Sequence, residues 1–216
     1  FKQKTAYEIG VRLVGSEMCI RDRWCYKAVA DGMLGDVFEV HAVMSKKVGD
    51  STRKNLSRFS GGSMFEIGCH VIDAMVRVLG PPKKVTPYGR KTHPKKDPLQ
   101  DNQLAVFDYP DAIASIRSAL IEYEGFRRRQ FTVCGEFGTF DLRPLGGNTF
   151  RLALERTHDG YKKGYQDITL EKGPGIFISA FLDLAAVVRG EKEDDYGLDH
   201  ELAVHEAVLK ASGYDA

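Results

Sequence analysis

The chain has almost no net charge, few cysteines and no long apolar run. Its 216 residues carry 31 Lys and Arg against 30 Asp and Glu, a formal charge of +1. That balance argues against a nucleic-acid binder, which concentrates an excess of cations on one face. The runs Lys83-Lys84 and Arg127-Arg128-Arg129 are local and read as solvated faces. No stretch approaches the ~20 apolar residues of a membrane-spanning helix. The four cysteines include no C-x-x-C pair, which argues against a zinc ribbon or a disulfide scaffold and for reduced thiols in a cytoplasmic protein. There is no G-x-G-x-x-G turn after a strand, no phosphate loop and no internal repeat. If the protein uses a nucleotide, this chain does not contain the usual site for one.

What stands at the start does not read as native protein. Lys2-Gln3-Lys4-Thr5-Ala6-Tyr7-Glu8-Ile9 is what AAG CAG AAG ACG GCA TAC GAG AT encodes, with the next base completing the last codon. That string resembles a sequencing-library primer. Leu13 to Arg23 resembles a transposon adapter read in one frame, and the residues between would be a sample index. Residues 1–23 are therefore expected to be a scar, and residues 24–216 the real domain. The scar carries five cations and three anions, so the remainder has a net charge of −1. It leaves three cysteines, Cys25, Cys69 and Cys134. It also implies a gene cut on its 5′ side, with an upstream domain missing.

The remaining chain is one domain's worth of sequence, long enough to bury a real core. Trp24 to Gly32 reads as the end of a helix. Val37 to Met44 alternates, with Phe38, Val40, Ala42 and Met44 on one side and Val37, Glu39, His41 and Val43 on the other. That is a strand with one dry face. Lys46 to Arg58 is polar and without period, a long loop. A helix follows from Gly61 and stops at Gly80-Pro81-Pro82. Seven strand candidates come next: Lys84–Arg90, Gln103–Tyr109, Ala112–Tyr123, Gln130–Cys134, Thr139–Arg143, Thr149–Arg156 and Tyr165–Leu170. Short turns such as Tyr109-Pro110-Asp111 and Gly135-Glu136-Phe137-Gly138 join several of them, which makes neighbours antiparallel. Helices at Gly175–Arg189 and about Asp199–Ser212 close the chain. Strands in a run with helices at both ends define an α+β fold: an open, mainly antiparallel sheet with helices packed on one face.

The Gly61 helix carries the chemistry. Glu66, His70, Asp73 and Arg77 are spaced four, three and four apart, on one face of an otherwise apolar segment. A carboxylate one turn before an imidazole can orient the ring and tune its pKa for proton transfer. Three other readings compete. Ser63 and Glu66 have the spacing of a capping box. Asp73 and Arg77 have that of a surface ion pair. Glu66 and His70, with His41 as a third ligand, could hold a metal. A stripe that places a His beside two carboxylates departs from the Lys, Glu and Gln of an ordinary wet face.

These residues also carry a resemblance. Gly61-Gly62-Ser63-Met64-Phe65-Glu66-Ile67-Gly68-Cys69-His70-Val71-Ile72-Asp73 is similar to the G-G-x-[LM]-x-D-x-G-x-H-x-x-D signature of the glucose–fructose oxidoreductase/inositol dehydrogenase/MocA superfamily. Asp31 to Val37 resembles the G-x-L-G-x-[IV] step that opens that family's second domain. Phe131 to Phe140 resembles its late β-hairpin, and Leu198 to Gly213 its closing helix. The resemblance runs from about Trp24 to the C-terminus.

It implies the second domain of a two-domain NAD- or NADP-dependent oxidoreductase acting on a sugar or polyol, with a Rossmann domain outside this chain. It implies His70 as proton acceptor, with Glu66 where the family usually has Asp, and Asp73, Lys46 and Met44 as substrate contacts. A Lys from an E-K-P motif of the Rossmann domain would complete the site; Glu171-Lys172-Gly173-Pro174 comes too late in the chain to be that motif. It further implies a homo-oligomer formed through the exposed sheet face. A non-catalytic dimerisation or ligand-binding module of the same fold is the alternative. Neither a nucleic acid nor a membrane is an expected partner.

Overall fold

The computed structural model describes residues 19–171, 176–193 and 197–214. Most of the adapter-like segment, residues 1–18, lies outside them, as do residues 172–175. Helix α1, Cys19–Ala30, spans the proposed scar boundary. The helix is anchored by Trp24, whose ring lies 4.4 Å from Phe150 and 5.8 Å from Phe140 and whose Nε1 donates to the Tyr161 hydroxyl at 2.9 Å. Arg23, the last residue of the adapter-like segment, donates to Asp183 at 3.0 Å across an exposed surface.

Eight strands form one sheet: β1 Val37–Ser45, β2 Lys84–Arg90, β3 Asn102–Asp108, β4 Ile113–Ala119, β5 Gln130–Gly135, β6 Gly138–Leu142, β7 Thr149–Leu154 and β8 Gly164–Thr169. Their spatial order is β2-β3-β4-β1-β5-β6-β7-β8. Every pairing is antiparallel except β1 with β4, which is parallel. The sheet is therefore mainly antiparallel, as the turn spacing predicts. The first strand sits in the middle, between the two antiparallel halves.

Alternation decides the faces. Val40, Ala42, Phe107, Ile116, Phe131 and Phe140 are buried in a single core with residues of the helices. Helix α3, Cys69–Leu79, contributes Val71, Ile72, Ala74, Met75 and Val76. Removing a side chain the size of Ile72 or Met75 from water stabilises the fold by about 1.5–3 kcal/mol. The helix ends where Gly80 turns to φ +75 and Pro81-Pro82 follow. Helix α5, Leu198–Ala211, adds Ala207, Val208 and Ala211 to the same core.

Three details depart from the sequence reading. Residues 46–58 are not all loop, because helix α2 forms over Asp50–Leu56. Phe38 does not join the dry face of β1 and is 50% exposed, because the pairing with β5 shifts register between Val37 and Glu39. Helix α4, Ile176–Val188, shows Ile178, Phe181, Leu182, Leu184 and Val188 to solvent. No helix among the described residues is long and apolar enough to cross a membrane.

Candidate active site

The segment after Gly61 enters its helix through a π turn, Met64–Gly68, before α3 begins at Cys69. Single π turns inside helices recur at functional sites. Glycine is required just ahead of it. Gly62 has φ +62, and a Cβ there would lie 2.2 Å from the Gln100 carbonyl oxygen. The turn is held to the sheet by polar side chains. The Gln103 Oε1 accepts from the Met64 amide at 2.8 Å, and the Ser63 amide donates to the Gln100 carbonyl at 2.8 Å. The Ser63 hydroxyl lies 3.0 Å from the Ser118 carbonyl, and the Ser118 hydroxyl donates back to the Ser63 carbonyl at 2.8 Å.

The capping-box reading therefore fails. Ser63 spends its hydroxyl on β3 and β4, and no side-chain cap bond forms at this helix start. Glu66 is used elsewhere: its Oε1 accepts from Lys46 Nζ at 3.0 Å, with both side chains about a quarter exposed. Lys46 stands at the end of β1, so the pair ties the central strand to the π turn. The ion-pair reading of the stripe changes too. Asp73 faces His200 of α5, with His200 Nε2 and Asp73 Oδ1 2.7 Å apart. Nothing in the spacing of His200 from Asp73 in the sequence announces the pair.

His70 lies between these pairs and is half-buried. Its ring has no hydrogen-bond partner among the described residues. Burial pushes its pKa down to about 4; the positive charge of Arg129 lowers it further, Asp73 opposes, and Lys46 lowers it again. The ring is neutral at physiological pH and can accept a proton. Its neighbour Cys69 is pushed up to about 12, mainly by burial and then by the charge of Glu66, so it stays a thiol and is no nucleophile. Met44 is half-buried at the end of β1, against the main core and against a smaller apolar cluster of Ile67, Leu99 and Leu120.

Arg129 is the residue that sequence reasoning missed. It ends a run of three arginines that reads as a solvated face. Arg127 is indeed exposed beside Glu124, and Arg128 pairs with Glu122. Arg129 instead folds inward: its Nε donates to the Ser45 carbonyl at 3.0 Å, and its guanidinium lies 3.9 Å from the Phe126 ring centroid. Its position directly before the strand that pairs with β1 is the sole hint in the sequence.

The metal reading lacks its third ligand. His41 lies on the opposite sheet face, where its Nδ1 is 2.9 Å from the Ser115 hydroxyl. Among the described residues, no group of three His, Cys, Asp or Glu side chains could hold an ion.

The low pKa of His70 has a consequence for stability. Between pH 4 and the imidazole's ordinary 6.5, the unfolded chain binds the proton and the folded chain does not. The contribution is fully present above pH 6.5 and is lost as the pH falls toward 4. A loss of order 2–3 kcal/mol across that window is expected. Urea midpoints measured from pH 7 to 4.5 should fall more steeply for the parent chain than for His70→Asn. Parallel curves would contradict a buried, neutral imidazole.

The chain belongs to the GFO/IDH/MocA oxidoreductase family: the family's C-terminal domain matches residues 23–141. No curated protein matches it. Solved structures share the fold. Aldose-aldose oxidoreductase from Caulobacter crescentus, complexed with glycerol, is 21% identical with a TM-score of 0.74, over 92% of this chain and 60% of that one. An NAD-binding oxidoreductase from Klebsiella pneumoniae is 15% identical with a TM-score of 0.72, over 92% and 61%. Levoglucosan dehydrogenase, in complex with NADH and levoglucosan, is 12% identical with a TM-score of 0.71, over 93% and 62%. The chain thus spans about 60% of the length of these relatives.

Proposed function

We propose that the chain is the substrate-binding and acid/base half of an NAD(P)-dependent oxidoreductase that interconverts a hydroxyl and a carbonyl on a sugar or polyol. One observation carries this reading: a neutral, half-buried imidazole on the family's signature turn, flanked by the cations Lys46 and Arg129. A bound nicotinamide would supply the acceptor or donor of the hydride. No glycine-rich phosphate turn opens a helix among the described residues, so the cofactor is held mainly by a nucleotide-binding domain outside them.

The residues of this chain manage the proton. As hydride leaves the carbinol carbon, the hydroxyl proton must go to a base, because an alcohol does not ionise unaided near neutral pH. His70 accepts it. Lys46 and Arg129 stabilise the negative charge that develops on the oxygen. Glu66 holds Lys46 in place, Asp73 is braced by His200, and Met44 gives the substrate carbons an apolar wall. In the reverse direction the protonated ring returns the proton to the carbonyl oxygen.

The open sheet face supports self-association. Tyr88, Ile113 and Tyr165 are more than half exposed there, among polar side chains. Light scattering is expected to show a homo-oligomer, and a strict monomer at high concentration would count against it. The same face favours the second reading, a non-catalytic dimerisation or ligand-binding module. Cys69 and Cys134 are free thiols, which suits a cytoplasmic location. The decisive test joins the chain to a nicotinamide-binding domain and measures NAD(P) reduction with a panel of sugars and polyols. Substrate-dependent reduction supports the enzyme; self-association without turnover on any of them supports the module.

A further inference from the structure

The β2 edge of the sheet carries a cavity of about 210 Å³, with Gly89, Arg90, Lys91, Gln100, Gln103 and Ser212 in its wall. It stands apart from Lys46 and Met44. Gly89, Gln103, Ser118 and Met44 form one row across β2, β3, β4 and β1. At about 4.8 Å per strand, Gly89 is about 14 Å from Met44. Glycine lets this wall form. A Cβ at Gly89 would lie 2.2 Å from Gln100 Oε1, so the Gln100 side chain can cross β2 only over a residue without one.

The hydrogen-bonding capacity left over at the cavity is donor capacity. Ser212, at the end of α5, is 4% exposed, and its hydroxyl has no partner. Native structures rarely leave such a group unmatched. Gln103 spends its Oε1 on the Met64 amide at 2.8 Å and the Ser63 hydroxyl at 3.1 Å, and its Nε2 donates to Gln100 Oε1 at 3.3 Å. That orientation leaves the Gln100 Nε2 as a donor. Arg90 donates from Nη1 to the adjacent Gly89 carbonyl at 2.8 Å. Neither Arg90 nor Lys91 has a carboxylate partner among the described residues, and no Asp or Glu lines the cavity. The carbonyls of the last turn of α5, which would repel an anion, are occupied: Val208 and Leu209 accept the Ser212 amide, and Lys210 accepts the Gly213 amide. Two cations, a carboxamide N–H and a hydroxyl, with no acid beside them, match a carboxylate or a phosphate.

The wall of the cavity is also wired to the π turn. The Gln100 carbonyl accepts the Ser63 amide at 2.8 Å, and Gln103 holds Met64. We propose that this cavity is a second ligand site, which takes a small carboxylate or phosphate and steadies the π turn when filled. An anion accepting from Ser212 and Gln100 ties the end of α5 to the segment from which the Ser63 and Met64 amides hang. The site is independent of the role given to His70.

The test uses the 216-residue chain at constant ionic strength, with inorganic phosphate, succinate and glycerol as probes, read by amide NMR shifts and hydrogen exchange. Phosphate or succinate should shift the Gln100 and Ser212 resonances saturably and slow exchange at the Ser63 and Met64 amides. The larger response identifies the acid group, and glycerol should do neither. Arg90→Gln should weaken binding about 10-fold or more, the scale for a hydrogen bond to a charged group. Ser212→Ala should weaken it as well, which keeps the test open if one variant fails to fold. Lys84→Gln, exposed at the far end of β2, should leave binding unchanged. No saturable response to either anion would overturn the site. Equal weakening in Arg90→Gln and Lys84→Gln would show an adventitious ion only and overturn it too. So would binding that survives Arg90→Gln and Ser212→Ala but is lost in Lys46→Gln, which would place the anion beside His70. Binding without slower exchange at Ser63 and Met64 would overturn the link to the π turn. None of these outcomes touches the assignment of His70, which is tested by turnover.

Discussion

With the chain joined to a nicotinamide-binding domain, His70→Ala is expected to slow turnover by about 10²–10⁴-fold, the range for loss of a general acid/base. Cofactor affinity should barely change, because the proposed role sets the imidazole against the reacting hydroxyl and not against the dinucleotide phosphates. The size of the effect follows from the surroundings of the ring. It is neutral at working pH, it has no hydrogen-bond partner among the described residues, and it lies among charges fixed by other pairs. Its neighbours Cys69 and Glu66 are not placed to replace it. Cys69 stays protonated, and the Glu66 carboxylate is engaged by Lys46. The profile of kcat against pH should also lose its acid limb in His70→Ala. Full turnover in the variant would make the stripe structural and end the catalytic assignment. A comparable loss in Glu66→Gln would show whether the carboxylate acts only by holding Lys46, since rescue by Glu66→Asp would then fail for want of reach.

Much of the fold was legible because it depends on period and punctuation. Alternation marks β1, β3, β5 and β7, and short glycine and proline turns force their antiparallel neighbours. What escaped depends on partners far away in the sequence. That β1 runs parallel to β4 is decided by packing, and neither strand carries a sign of it. The stripe of Glu66, His70 and Asp73 was visible from spacing, but its wiring was not. Spacing suggested contacts along one helix, whereas the structure sends Glu66 to Lys46 and Asp73 to His200. The capping-box pattern was misleading for the same reason. Ser63 has the right neighbours for a cap, yet hydroxyl and amide partners on β3 and β4 outcompete its own helix. Arg129 and Arg53 are the sharpest cases. Each sits in a run of polar and charged residues, where an individual arginine cannot be told from its solvated neighbours. Only the fold singles out the one that turns inward.

Arg53 leads to the second large effect: Arg53→Met should destabilise the chain by about 3–5 kcal/mol, the cost of removing one partner from a buried ionic cluster. The sequence placed it in a solvated loop. In the structure it is 5% exposed on α2 and grips Asp97 with two hydrogen bonds, Nε to Oδ2 at 2.9 Å and Nη2 to Oδ1 at 2.8 Å. Its Nη1 lies 2.8 Å from Asp101 Oδ2, and Asp101 is fully buried. Arg53 holds the Asp97 carboxyl below the usual carboxylate range. For Asp101 burial works the other way, but the Thr92 hydroxyl and amide, with Arg53, outweigh it, and this carboxyl too is held low. Removing the guanidinium takes away the main group that keeps Asp97 charged and part of what keeps Asp101 charged, so two carboxyls with little water around them are left either uncompensated or driven to take up a proton. The urea midpoint should fall by roughly 1–2 M at an ordinary slope. Lys54→Met, one residue along and exposed, should stay within about 0.5 kcal/mol of the parent. Neutralising both acids in Arg53→Met/Asp97→Asn/Asp101→Asn should recover part of the loss. The cluster also reaches the site. The Asp101 carbonyl accepts the Leu120 amide, and the neighbouring Gln100 and Gln103 hold Ser63 and Met64 at the start of the π turn. Loss of Arg53 should thus loosen the segment that aims His70, and the His70 imidazole should titrate closer to 6.5 in Arg53→Met than in the parent. A variant as stable as the parent, with His70 unchanged, would show that the ionic cluster is incidental to both fold and site.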